Sequence, residues 1–128
     1  MVQFDYICGS ESLKPLMLAA AADYIVLCKR GVDVTLHTDT LHRMKQVARM
    51  TGASIVYSDY MTVDDSGVSH RRELIDCQPG ALRDDFDFGS LMLIETRALI
   101  NALGDLTEVY RYAAFYALRL ALSRQGAI

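Results

Sequence analysis

Tryptophan is absent from these 128 residues, and proline occurs only twice. With no low-complexity tract and no Pro-rich linker, the chain reads as one compact domain or part of a larger one. Cysteine is scarce and odd in number: Cys8, Cys28 and Cys77. None forms a C-x-x-C pair, and His37 and His42 stand five apart, off a shared helical face, so a Cys/His zinc site is not expected. The reading is three free thiols in a reducing cytoplasm, one or two of them buried. Charge of one sign is missing too, with 13 basic residues against 16 acidic ones and a net charge of −3. Without a basic excess to follow a phosphate backbone, nucleic acid is not an expected partner. The apolar stretches 16–22 and 24–28 are split by Asp23, and neither approaches the ~20 residues that a membrane-spanning helix needs. Asp5 stands early, with no basic stretch before an apolar one, so no signal peptide is expected.

What is present is core material: 52% of residues are hydrophobic and 23% charged, a balance that favours a packed interior over disorder. Residues 3–7 alternate and predict a short strand. Ser10 or Ser12 caps a helix to about residue 22, with Pro15 tolerated in its first turn. The run 24–28 is continuously apolar, as in a strand covered on both faces. Thr38 caps a second helix with Leu41, Met44, Val47 and Ala48 on one side, and Gly52 ends it. Residues 53–60 predict the next buried strand, and 64–67 (DDSG) a turn between two short exposed strands. Asp64 and Asp65 lack the alternating ligands of a calcium loop. A strand over 91–94 and a helix over 96–103 follow. A long last helix is predicted from Thr107 to about Arg124, with Glu108 near its positive end.

Strands alternating with helices predict an α/β fold with a mostly parallel sheet and flanking helices. Ligands of such sheets bind beyond the carboxyl ends of the strands. Three stretches fall there: 29–34, 58–62 and the loop around 83–89. The third is the most distinctive. Asp84, Asp85 and Asp87 crowd it, and crowding can raise one carboxyl pKa or hold a divalent cation. Asp85 and Asp87 alternate with Phe86 and Phe88, so in extended chain the acids project one way and the rings the other. The alternative is a structural loop whose acids cap backbone amides and pair with Arg83 or Arg97. Asp59 ends its strand at a ligand-facing position, or else caps the following turn. Tyr110, Tyr112, Phe115 and Tyr116 have helical spacing and are expected mainly in the core.

The segments TGASIVYSDY (51–60), VDDSG (63–67), LIDCQPGALRDDFDFGSLMLIETRAL (74–99) and YRYAAFYALRLALSRQGAI (110–128) have an order and spacing similar to the middle and C-terminal parts of family 2 glycosyltransferases. The strand DYIVL (23–27) fits the one that leads to that family's Asp-x-Asp motif. The resemblance implies a Rossmann-like GT-A sheet without the family's N-terminal donor-binding part. It implies a nucleoside-diphosphate sugar donor, usually Mg²⁺ or Mn²⁺, and inverting transfer to a hydroxyl of a glycan or other acceptor, as in cell-wall biogenesis. Lys29-Arg30-Gly31 stands at the Asp-x-Asp position, so Lys29 and Arg30 would meet the leaving diphosphate directly. Tyr112-Ala113 stands at the position of the family's Glu-Asp pair. Within this frame Asp85 and Asp87 are the candidate catalytic carboxylates, and Lys29, Arg30, Asp59, Arg83 and Asp84 the candidate substrate-binding residues. Arg119 matches the arginine of the family's terminal helix and is expected in a buried or half-buried ion pair. The competing expectation is a non-catalytic module that binds a glycan or partner, or that oligomerises. Under either, an uncovered strand edge favours a homodimer.

Overall fold

The computed structural model describes residues 1–5, 8–18, 21–78, 80, 82–83 and 86–128. The apolar run after Asp23 forms β2 (Tyr24–Lys29), an inner strand of a four-stranded sheet whose other members are β1 (Val2–Phe4), β3 (Ile55–Val56) and β6 (Leu91–Glu95). Their order is β1-β2-β6-β3. β1 runs parallel to β2, with Val2 opposite Leu27. β6 runs antiparallel to both neighbours, so that Ile25 and Ile55 each face Ile94. The chain is thus mixed α/β with a mixed sheet, which corrects the mostly parallel sheet expected from the alternation of elements. The reason lies in the connection. A parallel neighbour needs a crossover that carries the chain back to the starting end of the sheet. After β3 the chain instead stays at the strand-exit end, and β6 starts there and runs back.

The sheet is covered on both sides, which is why its inner strands read as unbroken apolar runs. On one face Ile25, Leu27, Ile55, Met92 and Ile94 pack with Leu13, Leu16, Leu99, Phe115, Leu118 and Leu122. These come from a 3-10 turn (Ser10–Leu13), α1 (Lys14–Leu18), α3 (Thr96–Asp105) and α4 (Ala114–Ser123). On the other face Val26, Val56, Leu91 and Leu93 meet Met44 and Ala48 of α2 (Thr38–Thr51). Each aliphatic side chain fully buried in this way contributes roughly 1.5–3 kcal/mol. α2 ends as expected at Gly52, in the left-handed region at φ 66°, although His37 rather than Thr38 occupies its cap position.

Several boundaries differ from expectation. The strand expected over 53–60 shortens to two residues. Ahead of it the Ser54 N–H donates to the Ala127 carbonyl at 2.8 Å. Beyond it the chain departs into a separate hairpin, β4 (Tyr60–Val63) and β5 (Ser69–Arg72), turning over 64–67 as predicted. Asp64 organises this turn by accepting the Ser66 and Val68 N–H groups. The last helix starts at Ala114, not Thr107. The preceding residues pair instead with the segment after β1: Cys8 N–H donates to Tyr112 O and Ser10 N–H to Tyr110 O. Tyr110 and Tyr112 therefore stand off the helix, and Tyr112 is exposed. The first helix, expected to reach residue 22, is the short 3-10 turn and α1, with Gly9 at its cap. The strand expected over 3–7 covers Val2–Phe4, and residues 6 and 7 lie outside the described residues.

Cys8 and Cys28 are buried, Cys77 is half-buried, and all three are free thiols. Burial raises the pKa of each. Among the described residues no helix is long and apolar enough to cross a membrane.

Candidate functional site

β1, β2 and β3 share one direction and β6 opposes it. The exits of the first three strands and the entry of the fourth therefore lie along one rim. All three stretches singled out in the sequence meet there. The Lys29 N–H, at the exit of β2, donates to Ser90 O at 2.9 Å, tying that exit to the end of the phenylalanine-rich bend. Arg30 Nε lies 3.0 Å from Asp5 Oδ2, linking the exits of β1 and β2. Both Lys29 and Arg30 are exposed. An open cavity of about 700 Å³ lies between 31–35, His37, the β4 strand and Ser90–Leu91. A broader groove of about 950 Å³ is lined by Glu73, Asp76, Gln78, Arg83, Phe86 and Asp87, among others.

The bend is held by its rings. Phe88 is fully buried, 4.8 Å from the Phe86 ring, and Tyr57 meets both edge-on at 5.0 and 6.1 Å. Such pairs add roughly 0.5–1.5 kcal/mol each beyond area burial. Asp87, between the two rings, is exposed. Its Oδ1 accepts the Gly89 N–H at 2.7 Å, an Asx-type turn. Gly89 is required twice over. Its φ is +74°, and a Cβ there would lie 3.1 Å from Leu74 Cδ1 and 3.2 Å from the Tyr60 ring. Arg83 is exposed at the groove. Asp84 and Asp85 lie outside the described residues.

Asp59 is engaged inside the fold. Its Oδ2 accepts from Arg71 Nη2 at 2.9 Å and its Oδ1 from the Leu74 N–H at 2.8 Å. Those bonds, the Leu74 amide first and Arg71 second, hold its carboxyl below the usual range. Asp59 thus clamps the exit of β3 to the chain that leaves β5. Asp64 is similar: hydrogen bonds from Ser66, His70 and Val68 lower its pKa to about 2.

The described residues of the rim do not make a divalent-cation set. Two cationic side chains, Lys29 and Arg30, stand at the exit of β2, and one oxygen of Asp87 is already taken. No group of three His, Cys, Asp or Glu among the described residues is placed to hold a metal. Hard cations take several oxygen ligands, so no step here is routed through one.

One residue carries more than its sequence suggested. Arg119 of α4 is buried, at 3% exposure. Its Nη1 donates to Phe86 O at 3.0 Å, and its guanidinium lies 5.2 Å from the Phe88 ring centroid and 5.0 Å from that of Phe115. The available signal was an arginine in the middle of the apolar run AFYALRLAL (114–122). Compared with protein-family models, curated proteins and solved structures, the chain matches none.

Proposed function

We propose that this chain is a glycosyltransferase-type domain of the family 2, GT-A kind. On this reading its strand-exit rim receives a nucleoside-diphosphate sugar and passes the sugar to a hydroxyl of a glycan or other acceptor. The observation that carries the reading is the bend: Phe86 and Phe88 are set into the core while Asp87 stands exposed where the strand exits converge. Oδ1 of Asp87 is used by Gly89. Oδ2, which accepts no hydrogen bond from the described residues, is the oxygen for the acceptor proton. The acceptor oxygen attacks the anomeric carbon, its proton goes to Asp87, and the nucleoside diphosphate leaves with inversion. Lys29, exposed at the exit of β2, meets the negative charge that develops on the leaving group. Arg30, exposed beside it and paired with Asp5, adds a second positive charge. The likeness in the order of the segments over 51–128 supports the same reading.

A second reading, a module that binds a glycan or partner without transfer, is favoured by the engagement of Asp59 within the fold. Titration with a panel of UDP-, GDP- and dTDP-hexoses, followed by an assay for sugar transfer to hydroxyl acceptors, separates the two. Asp87→Asn keeps the oxygen that accepts the Gly89 N–H and removes only the charge, so the turn survives. Donor binding in the wild type, with transfer lost in Asp87→Asn, is expected. Donor binding without transfer in the wild type would favour the second reading, and silence toward every donor would defeat the first.

A further inference from the structure

Arg119 is the one charged side chain buried among the described residues. Taking a guanidinium out of water is costly unless its surroundings replace the lost hydration. Here the replacement is specific. The planar cation lies against the rings of Phe88, Phe115 and Tyr116, at 5.2, 5.0 and 5.9 Å from their centroids. One of its N–H groups donates to the Phe86 carbonyl at 3.0 Å. Phe86 immediately precedes Asp87 and Phe88 immediately follows it. A single side chain of α4 thus grips the bend on both sides of the exposed carboxylate, through a peptide oxygen on one side and a ring face on the other.

This geometry suits arginine and not lysine. A guanidinium can stack flat on an aromatic ring while its edge donates to a carbonyl, whereas an ammonium is a compact point charge without that plane. The Phe86 carbonyl fixes the peptide plane from which Asp87 projects. The position of the Asp87 carboxylate, and its bond from the Gly89 N–H, therefore depend on Arg119.

We infer that Arg119 is a positioning residue, acting through the Phe86 carbonyl and the Phe88 ring to hold Asp87 at the rim. The role of Asp87 toward a donor rests on the function proposed above; the control of its placement by Arg119 does not. A side chain that only filled the core would, when replaced, lower stability everywhere and leave the bend no looser than the rest.

The test uses the full chain and three variants: Arg119→Met, which keeps an apolar stem and removes the donors; Arg119→Lys, which keeps the charge; and Phe88→Leu, which removes the ring from the guanidinium. Amide hydrogen exchange is followed at Phe88 and Gly89 and at reference amides in α2 and β2. The expected result is faster exchange at Phe88 and Gly89 by about tenfold or more beyond any change at the reference amides. Arg119→Lys should fall between the wild type and Arg119→Met. Exchange that quickens equally at all sites, or not at all at Gly89, overturns the proposal. If Arg119→Met does not fold, Arg119→Lys and Phe88→Leu decide by the same comparison. Sugar transfer from UDP-hexoses adds a second arm: Arg119→Lys lowers the rate in the wild-type background, but lowers it no further in an Asp87→Asn background. Equal lowering in both backgrounds would place the effect of Arg119 elsewhere and contradict the proposal. A wild type that binds no donor would remove the sugar-transfer reading, and the exchange comparison would still decide the role of Arg119.

Discussion

Two glycine-to-alanine changes should move stability in opposite directions, and the geometry says by how much. A Cβ at Gly126 would lie 2.5 Å from the backbone oxygen of Gly52 and 3.2 Å from the Ser54 nitrogen. Both are main-chain atoms and cannot swing aside. If the tail stays docked, overpacking of this kind costs about 1–3 kcal/mol. If it lifts away, Ala127 O loses the Ser54 N–H at 2.8 Å and the Ser54 hydroxyl loses Ala127 O at 3.2 Å, keeping only Leu122 O of α4 at 2.9 Å. Each hydrogen bond contributes about 1 kcal/mol, and buried polar groups left without partners cost more. Either route gives a loss of about 1–3 kcal/mol, a fall in Tm of roughly 3–12 °C for a domain of this size. Gly104 is the opposite case. It lies inside α3, and a Cβ there meets nothing within 4 Å. Alanine reduces the freedom of the unfolded chain and should stabilise by about 0.4–1 kcal/mol. Thermal melts by circular dichroism, with urea unfolding as a second probe, read both effects. A Gly126→Ala variant that melts with the wild type, or a Gly104→Ala variant that falls with Gly126→Ala, would refute the docked tail and the packing around it.

The hairpin turn should resist acid further than an ordinary carboxylate turn. Asp64 has its folded pKa lowered to about 2, against an ordinary value of about 3.9. Its contribution is therefore present above the unfolded pKa and is lost as pH falls through the folded one. Amide protection at Ser66 and Val68, followed by NMR, should persist to about pH 3 and fall away near pH 2; loss already at pH 4–5 would contradict the assigned hydrogen bonds. Self-association is expected because β1 has a sheet partner on one side only among the described residues, and an open edge invites pairing with a second copy. Sedimentation should show a dimer, and a monomer at high concentration would count against it.

The elements that were legible in the sequence are those whose signal is local. β2 and β6 are covered on both faces, and doubly covered strands read as unbroken apolar runs. α2 shows its face through Met44 and Ala48 and its end through Gly52, and the DDSG turn is fixed by Asp64 through groups within six residues of it. What the sequence hid depends on partners far along the chain. Thr107 looked like a helix cap, but Tyr110 and Tyr112 pair with Ser10 and Cys8, about a hundred residues away, and that competition delays the helix to Ala114. β3 is short because Ala127 takes the Ser54 amide. The direction of β6 follows from where a long connection emerges, which no periodicity encodes. The candidate site divides the same way. The alternation of Phe86, Asp87 and Phe88 was readable, and the structure sets the rings inward and the acid outward. The partners of Asp59, Arg71 and Leu74, are brought to it by the hairpin, so its engagement was not readable.

The central claim is that the strand-exit rim, with Asp87 at its mouth, binds a sugar nucleotide. NMR titration of the labelled chain with UDP-, GDP- and dTDP-hexoses tests it most directly. Binding at millimolar strength or tighter, with shifts concentrated at Lys29, Arg30, Asp87 and Ser90, and kept in Asp87→Asn while transfer is lost, is the predicted result. Shifts confined to the opposite end of the sheet, near Asp23, Arg49 and Arg97, or no shift with any donor, would contradict it.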